Sequence, residues 1–432
     1  MHGLEFASRL NTQYFGGRLA PVVVDRLGVL PMDRDDVRAF VERMCRSMWA
    51  AGSPATDFSV LQAEILAALI SRLLPGNWEG RVPPITVAER HRKLDVLVSH
   101  TAAAEGLPRR FIDVACGFPP LTTIDTATTL SDWQIVGVDR SLPAYLVHDG
   151  LGNYAVYDPE GRATYFQPLV PSGDSWATLL TDWEGSRRRF EALLAELLAE
   201  RTRAGGGDHI EMNGATLDVD PVSAHSHDRL RFVRADLAQA DVPPAGVVRC
   251  CNMLMYFDRT FRREALTQLA ALLEEDGLLI CGTDWVHTTE ARYFTFRKRN
   301  GHLSDGEFAF SLDNLAPVGV VSWYTLHDDD LELEMLVDLT RRLKSDREFI
   351  GRFMARSDAL RDEIALMPRG PDGYYVPSLP DLSAEDLWQR SARHSETLAR
   401  EFGEAAVSVL RAQGLEARLN AAGHLAVPVP AA

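Results

Sequence analysis

Two short apolar runs, separated by a tight turn and a short helical segment, constrain the fold of this chain most. The first run passes through Asp113 and enters a turn of small residues within residues 111–120. The second run, residues 134–138, ends at Asp139. This is the layout of a first β-α-β unit that holds a nucleoside, because the turn lets the ligand approach the backbone and the second carboxylate accepts ribose hydroxyls. The pattern therefore predicts an α/β fold with a nucleoside site.

The turn after the first run differs from a dinucleotide-binding loop. It has a single glycine, Gly117, with Ala115 before it and Pro119 and Pro120 after it. Because proline has no backbone N–H, two donors are missing where a pyrophosphate would bind. S-adenosylmethionine has no phosphate, and Asp113 could hold its ammonium group directly or through water. The loop therefore favours S-adenosylmethionine as the cofactor.

This part of the chain resembles the class I S-adenosylmethionine-dependent methyltransferases, whose first motif reads roughly acidic-x-Gly-x-Gly-x-Gly. Ala115 and Pro119 replace the first and third glycines of that motif. The resemblance spans roughly residues 110–312 and implies a Rossmann-like sheet, mostly parallel, with one antiparallel strand. It also implies a set of cofactor-binding residues, namely Asp113, Ala115, Cys116, Gly117, Asp139, Arg140, Asp236, Leu237 and Asn252.

The second half of the chain has the strand and helix order that a parallel sheet requires. Residues 230–237 form a short predicted strand ending in Asp236 and Leu237, which the resemblance places at the adenine ring. Residues 246–258 contain the next strand, an amphipathic helix follows, and residues 278–282 form another buried strand.

Residues 251–257 and 276–282 resemble a narrower group, the chemotaxis-receptor glutamate methyltransferases. Those proteins show Arg-Asn, three hydrophobic residues and Tyr-Phe, and later Pro-Gly-Gly. Cys251 stands where that family has arginine, and Asp276 replaces the first glycine of the turn. The close resemblance covers only residues 230–282, so the cofactor contacts carry over and the methylation of receptor glutamates does not.

Composition restricts the partners. The chain of 432 residues has 45 Lys and Arg against 61 Asp and Glu, a net charge of −16. An acidic surface argues against nucleic-acid and anionic-membrane partners, which depend on cationic steering. The five cysteines show neither a metal-ligand spacing nor a disulfide framework, and the first twelve residues lack a signal-peptide pattern. We expect a cytoplasmic protein without a bound metal.

Residues outside the nucleoside fold divide into three additions. Residues 1–105 are predicted as an N-terminal helical cap, and residues 326–432 as a C-terminal helical region. The cofactor domain, residues 106–325, contains an insertion at about residues 142–228, because Asp139 and Asp236 lie much further apart than one crossover requires. The insertion is predicted to be a three-stranded meander with glycine turns, then a helix, then a mobile loop.

Candidate catalytic residues follow the predicted strands at their carboxyl ends, where open α/β sheets bind ligands. Methyl transfer needs mainly alignment, and a general base only when the acceptor is protonated. Tyr256, Asp284 and His287 are the candidates for this chemistry, and Trp285 could face the sulfonium.

The sequence thus predicts a methyltransferase for a small molecule, such as an amino acid derivative or a secondary metabolite. Two alternatives stay open: a lyase or cyclase that releases methylthioadenosine from the cofactor, and a regulatory protein that binds the cofactor without turnover. The acceptor, the methylated atom and the oligomeric state, a homodimer included, are also open.

Overall fold

The computed structural model describes residues 3–73, 83–84, 86–169, 182–376 and 383–429. The helices are α1 Gly3–Phe15, α2 Pro21–Gly28, α3 Asp35–Ala50, α4 Val60–Leu73, α5 Arg92–Glu105, α6 Leu121–Thr129, α7 Trp183–Arg203, α8 Arg259–Ala271, α9 Leu331–Ser345, α10 Arg347–Glu363 and α11 Ala384–Ala412. The strands are β1 Arg110–Val114, β2 Gln134–Val138, β3 Tyr145–His148, β4 Asn153–Tyr157, β5 Ala163–Pro168, β6 His209–Met212, β7 Ala215–Val219, β8 Leu230–Val233, β9 Ala245–Cys251, β10 Leu273–Thr283, β11 Arg292–Arg299, β12 His302–Phe310, β13 Arg418–Leu419 and β14 Leu425–Pro428.

The central sheet has the strand order β13-β14-β12-β11-β10-β9-β1-β2-β8. Strands β8, β2, β1, β9 and β10 pair in parallel, so their order along the chain is third, second, first, fourth and fifth. They are nearly continuous apolar runs because helices cover both faces of the sheet. The order reverses between β1 and β9, and a crevice opens there at the carboxyl ends of the strands. The predicted Rossmann-like α/β fold is confirmed.

The antiparallel part of the sheet is larger than predicted. β11 pairs antiparallel with β10, β12 with β11, and β14 with β12, so β11 and β14 both run against the parallel strands. Two strands therefore run antiparallel to the rest where the prediction had one, and the region predicted to be helical also contains the short strands β13 and β14. The chain returns to the sheet after α11 because β14 alternates: Leu425 and Val427 join one hydrophobic core, and Ala426 joins the core on the other face.

The insertion is a second sheet with the order β5-β4-β3-β7-β6. The predicted meander is confirmed as β3, β4 and β5, and the predicted helix as α7, which packs on one face of this sheet. The hairpin of β6 and β7 lies where a mobile loop was predicted, with Asn213 and Gly214 at its turn. On the other face, Leu146 and Tyr165 pack against Phe118 of the loop after β1, so the insertion rests on that loop.

The helices from the two ends of the chain share one hydrophobic core with the central sheet. Polar contacts join them as well: Gln62 Nε2 donates to Pro317 O at 3.0 Å, and the guanidinium of Arg369 lies 2.6 Å from the Asp57 carboxylate. Each predicted terminal region therefore packs against the other as well as against the cofactor domain. Within the described part of the chain, no helix is both long and apolar enough to span a membrane.

Candidate functional site

A cavity of about 1350 Å³ opens at the carboxyl ends of β1, β2, β9 and β10. Most of the predicted site residues line it, namely Asp113, Ala115, Gly117, Asp139, Arg140, Asp236, Leu237, Asn252, Tyr256 and Asp284. Two predicted residues, Cys116 and His287, are not among the described residues that line it. The strand order thus brings together side chains that lie up to 171 positions apart in the sequence.

The loop after β1 uses its backbone N–H groups within the protein. Ala115 and Cys116 donate to Val138 O at 2.8 and 3.4 Å, Gly117 donates to Asp139 Oδ2 at 2.9 Å, and Phe118 donates to Pro84 O at 2.8 Å. Pro119 and Pro120 have no N–H, and Leu121 donates to Pro119 O at 2.9 Å and to Thr86 Oγ1 at 3.1 Å. Every backbone donor from residue 115 to residue 121 therefore has a partner inside the chain.

The backbone of this loop also explains its glycine. Gly117 has a φ of +69°, and a Cβ there would lie 2.6 Å from Pro84 O. Residues 83–84 therefore pack directly on the loop and hold it against the sheet. Ala115, with a φ of 59°, adopts a left-handed conformation although glycine is more usual there.

Asp139 is buried at the end of β2 and lines the cavity. Its Oδ2 accepts from the Gly117 N–H at 2.9 Å, and its Oδ1 accepts from the Ser141 N–H at 2.7 Å. These bonds fix the carboxylate at the cavity wall and link the ends of β1 and β2. The Ser141 hydroxyl also donates to Oδ1 at 2.5 Å, so of the roughly four lone pairs of the carboxylate about one is left for a ligand hydroxyl.

Asp113 does not have the role predicted for it. Arg249 of β9 donates from Nε to Asp113 Oδ1 at 3.0 Å and from Nη2 to Oδ2 at 2.8 Å, and Thr123 Oγ1 donates to Oδ2 at 2.7 Å. Arg249 Nη1 also donates to Asp95 Oδ1 at 2.8 Å. Because both oxygens of Asp113 are engaged by a buried cation, the carboxylate braces the sheet below the cavity and is not free for an ammonium group.

The charges in this cluster shift the pKa values in opposite directions. Burial alone would raise the pKa of Asp113, but the charge and hydrogen bonds of Arg249 outweigh burial and lower it. For Asp95 burial dominates and raises the pKa to about 6. Asp113 is therefore the ionised partner of Arg249.

The adenine end predicted from the sequence lies at the edge of the cavity. Asp236 is exposed, and Leu237 begins the short 3-10 turn Leu237–Gln239. Both line the cavity beyond β8, on the same side as Asp139. Their positions agree with contacts to one ring system.

At the other end, Asn252 and Asp284 form a pair between β9 and β10. Asn252 Nδ2 donates to Asp284 Oδ1 at 3.0 Å, and the Asp284 N–H donates to Asn252 Oδ1 at 2.9 Å. His91 Nδ1 lies 2.9 Å from Asp284 Oδ2, and both side chains are buried. No sequence pattern indicates His91, which precedes α5 and meets Asp284 only through the fold.

Arg90 is the second residue that sequence reasoning missed. It lines the cavity, and burial lowers the pKa of its guanidinium. The charge of Asp284 acts in the opposite direction and stabilises the cation. The cavity therefore has a half-buried cation next to the Asp284 carboxylate.

Aromatic side chains surround this end. The rings of Tyr256 and Tyr324 meet edge to face at a centroid distance of 6.2 Å, and Trp285 also lines the cavity. Burial, and then the neighbouring Tyr256, raise the pKa of the Tyr324 hydroxyl well above its usual value. Tyr324 is therefore neutral at physiological pH, and both rings line the cavity, where they can contact a ligand.

The two remaining predicted residues point elsewhere. His287 lies in the turn Val286–Thr288 with a φ of 52°, and its Nδ1 is 3.2 Å from Glu89 Oε2. The turn directs it away from the cavity, so its predicted catalytic role has no geometric support. The Cys116 side chain packs with Phe118 and Leu142 beneath the insertion, and burial raises the pKa of its thiol. Cys116 contributes to the site through its backbone alone.

The additions to the fold close the cavity. Ile65 and Leu69 of α4 and Trp388 of α11 line it from the terminal helices. His148 and Tyr154 line it from the insertion. Tyr154, like Tyr157 and Tyr165, is buried, but it also borders the cavity. Among the described residues, no group of three His, Cys, Asp or Glu side chains is arranged to hold a metal ion.

Neither the known protein-family models nor the curated protein sequences give a match to this chain. Solved structures do give matches, all with low identity. An S-adenosylmethionine-dependent methyltransferase from Clostridium acetobutylicum ATCC 824 is 10% identical, with a TM-score of 0.22, over 51% of this chain and 66% of that protein. Magnesium protoporphyrin IX methyltransferase from Synechocystis PCC 6803 is 13% identical, with a TM-score of 0.21, over 45% and 54%.

The amino pentose methyltransferase CalS10 from Micromonospora echinaspora is 14% identical, with a TM-score of 0.21, over 52% of this chain and 64% of that protein. The chain thus spans less than two thirds of the length of each of these structures. TM-scores of this size carry no argument about cofactor or substrate. The fold assignment rests on the strand order of the chain itself.

Proposed function

We propose that this chain is an S-adenosylmethionine-dependent methyltransferase that acts on a small molecule. The observation that supports the cofactor best is the loop of residues 115–121, whose backbone donors are all engaged within the chain. A pyrophosphate needs such donors, whereas S-adenosylmethionine does not. The Asp139 carboxylate at the neighbouring strand end supplies the acceptor that ribose hydroxyls require.

The residues present fit this cofactor. Asp139 would hold the ribose, Asp236 and the backbone of Leu237 would hold the adenine, and Arg90 would pair with the carboxylate of the amino-acid tail. Tyr256 and Trp285 would place aromatic faces near the sulfonium, a cation that such faces attract. When bound, S-adenosylmethionine supplies a methyl group on a positively charged sulfur.

The acceptor part of the proposal follows from the walls of the cavity. The β9–β10 end is bordered by Ile65, Leu69, Phe257 and Trp388, together with Met253 and Met255, so it is largely apolar. Cavities of several hundred Å³ with apolar walls and few polar groups are typical of small-molecule sites. A volume of about 1350 Å³ has room for a nucleoside cofactor and a second small molecule. We infer that the substrate is an amino acid derivative or a secondary metabolite, and that the protein acts on it in the cytoplasm.

Residues 230–282 agree with this proposal through their similarity to the chemotaxis-receptor glutamate methyltransferases. The similarity supports the reaction class and does not extend to a receptor substrate, because the acceptor end of the cavity also includes segments outside residues 230–282. Trp388 of α11 and Leu69 of α4 are two such contributions.

Isothermal titration with S-adenosylmethionine and S-adenosylhomocysteine tests the proposal directly. Both should bind, whereas ATP and NAD, matched controls that share the adenosine, should not. Absence of S-adenosylmethionine binding at millimolar concentration would overturn the cofactor assignment.

Incubation of the protein with S-adenosylmethionine alone separates the remaining alternatives. Release of methylthioadenosine without an acceptor would indicate the lyase or cyclase reaction. Binding without turnover across a broad panel of small-molecule acceptors would indicate a regulatory protein. Formation of S-adenosylhomocysteine only with an acceptor present is the outcome we expect.

A further inference from the structure

His91 occupies a distinctive place in the cavity wall. Its ring is buried to 6% exposure, it lines the cavity, and its Nδ1 lies 2.9 Å from Asp284 Oδ2. The Asp284 carboxylate is fixed in turn by Asn252 Nδ2 at 3.0 Å, and the Asp284 N–H donates to Asn252 Oδ1 at 2.9 Å. Asn252 thus orients Asp284, and Asp284 orients His91.

This arrangement selects one tautomer of His91. An ionised carboxylate only accepts hydrogen bonds, so the Nδ1 facing Asp284 must carry the hydrogen. In the neutral ring Nε2 then has a lone pair and is the basic atom. The other charged groups near His91 are Arg90, whose cation the charge of Asp284 stabilises, and Asp95 and Asp113, which both pair with Arg249. Asp284 is therefore the acid whose geometry governs the ring.

The position of the pair matches the acceptor end of the cavity. Asp139 marks the nucleoside end at β2, and the order β10-β9-β1-β2 places Asp284 three strands away. Neighbouring strands lie about 4.8 Å apart, so this separation is about 14 Å. With the nucleoside bound at β2, the space at the ends of β9 and β10 stays open for the reacting groups. Tyr256 and Trp285 also lie there.

We infer that His91 is the general base of the methyl transfer, with Asp284 as its positioning residue, and that the acceptor therefore reacts through a protonated atom, a hydroxyl or an ammonium. This inference rests on the proposed function. The reacting oxygen or nitrogen forms a bond to the methyl carbon while the carbon–sulfur bond breaks and its electron pair stays on sulfur. The proton of the acceptor passes to His91 Nε2 and then to solvent; a hydroxyl can lose it during the attack, whereas an ammonium must lose it first, because its nitrogen has no lone pair until then.

The first test needs no acceptor. Diethyl pyrocarbonate modifies an imidazole only at an accessible, unprotonated nitrogen, and mass spectrometry locates the product. In the complex with S-adenosylhomocysteine, His91 should be modified at neutral pH. His394 and His424, with 0% and 1% exposure, serve as internal controls and should stay unmodified in the folded protein. Failure to modify His91 under these conditions would overturn the inference.

Nitrogen-15 NMR of histidine-labelled protein tests the tautomer. The wild type should show His91 with hydrogen on Nδ1, Asp284→Asn should add the form with hydrogen on Nε2, and Asp284→Glu should restore the wild-type form. A ring with hydrogen on Nε2 in the wild type would contradict the role of Asp284. If His91 were only structural, there would be no reason for the tautomer to depend on Asp284 in this way and for Nε2 to be reactive as well.

Methyl transfer to a series of para-substituted phenols, from 4-nitrophenol to 4-methoxyphenol, measures the base directly. His91→Asn should lower kcat on the weakly acidic 4-methoxyphenol by about 10²–10⁴-fold. The loss should be less than about tenfold on 4-nitrophenol, which ionises without help. His302→Asn, at an exposed histidine, is the matched control. An equal loss on both phenols would overturn the inference.

Titration of each variant with S-adenosylhomocysteine separates the two proposals. If the wild type does not bind it, the proposed function fails whatever the state of His91. If the wild type binds it and His91 is unreactive, only the inference about the base fails. Where no phenol is methylated, the modification and the tautomer decide the inference.

Discussion

Two groups of buried charge lie below the same cavity, and they are organised differently. In the closed cluster, Asp95, Asp113 and Arg249, the guanidinium makes three hydrogen bonds to the two carboxylates, and all three side chains are at most 4% exposed. In the open cluster, His91, Asn252 and Asp284, the acid is fixed by an amide and holds an imidazole whose second nitrogen has no hydrogen-bond partner among the described residues.

The difference separates structure from chemistry. The closed cluster engages all three nitrogens of its cation with carboxylates of the chain itself, so it ties β1 to β9 and to α5. The open cluster leaves one basic atom for a ligand. Similar residue types therefore serve the fold in one place and a reaction in the other, and variants of the two clusters should fail in different assays.

The largest effect is expected for Arg249→Met in the closed cluster. The variant leaves Asp95 and Asp113 buried without their cation, which should lower the free energy of unfolding by about 3–5 kcal/mol. Urea denaturation measures this, with the exposed Arg263→Gln as control. Adding Asp95→Asn and Asp113→Asn should recover part of the loss, because no charge then remains buried. A loss below 1 kcal/mol for Arg249→Met would mean that the closed cluster does not support the fold.

A third buried acid, Glu332, is intermediate between the two clusters, because it has a hydrogen-bond donor but no cation within hydrogen-bond distance. Thr283 Oγ1 lies 3.1 Å from its Oε2, while the Arg292 guanidinium stays 3.8 Å away. Burial, and then the charge of Asp330, raise its pKa from 4.5 to about 7. The folded protein therefore binds more protons than the unfolded chain between these values, and the free energy of unfolding falls as the pH rises through this range.

The size of this fall can be measured. A shift of this magnitude corresponds to about 3 kcal/mol, present in full below pH 4.5 and lost above about pH 7. Glu332→Gln should remove this part of the pH dependence when urea denaturation is compared at pH 5 and pH 8. Glu348→Gln, whose side chain is 85% exposed, should leave the pH dependence unchanged. The same fall in Glu332→Gln as in the wild type would contradict the assignment.

A smaller effect, and in a different assay, is expected for Asp139→Ala at the nucleoside end. It should weaken S-adenosylmethionine binding by about 1–3 kcal/mol through the lost charge-assisted hydrogen bonds. Isothermal titration measures this, with the exposed Asp241→Ala as control. Unchanged affinity would mean that Asp139 does not hold the ribose.

The smallest effect concerns an ion pair on the surface, which calibrates the buried ones. Asp328 is 66% exposed and lies 3.0 Å from Arg43 Nε, with Arg46 as a second partner. Asp328→Asn should lower the free energy of unfolding by less than about 1 kcal/mol, and high salt should remove the difference. A loss as large as that of Arg249→Met would remove the distinction between buried and exposed charges.

The sequence predicted those features that depend on local pattern. The parallel strands and the acids at their ends, such as Asp139, can be predicted because each apolar run ends in an acidic residue or a turn. The β6–β7 hairpin was missed because Gly205, Gly206 and Gly207 suggested a loop, although Asn213-Gly214 is a strong hairpin signal. The strands after α11 are short and end near proline, which hides them from the same reasoning.

The site residues that were missed depend on contacts between distant parts of the chain. His91 meets Asp284 across 193 positions, and Arg249 meets Asp113 across 136. In the sequence His91 lies within residues 1–105, which are predicted only as a helical cap, and it directly precedes α5, which begins at Arg92. A pattern of neighbours cannot indicate which carboxylate a buried cation or imidazole will meet.

The engaged amides of the loop after β1 bear on how this protein would choose among the many adenosine compounds of a cell. ATP, NAD and coenzyme A share their nucleoside with S-adenosylmethionine, so contacts to adenine and ribose cannot tell them apart. If such a compound bound, its phosphate oxygens would lose their hydrogen bonds to water, and the loop would offer none in exchange. Selectivity for S-adenosylmethionine would then come from weak binding of the phosphate-bearing compounds. We expect mutations that free one of these amides to allow such compounds to bind.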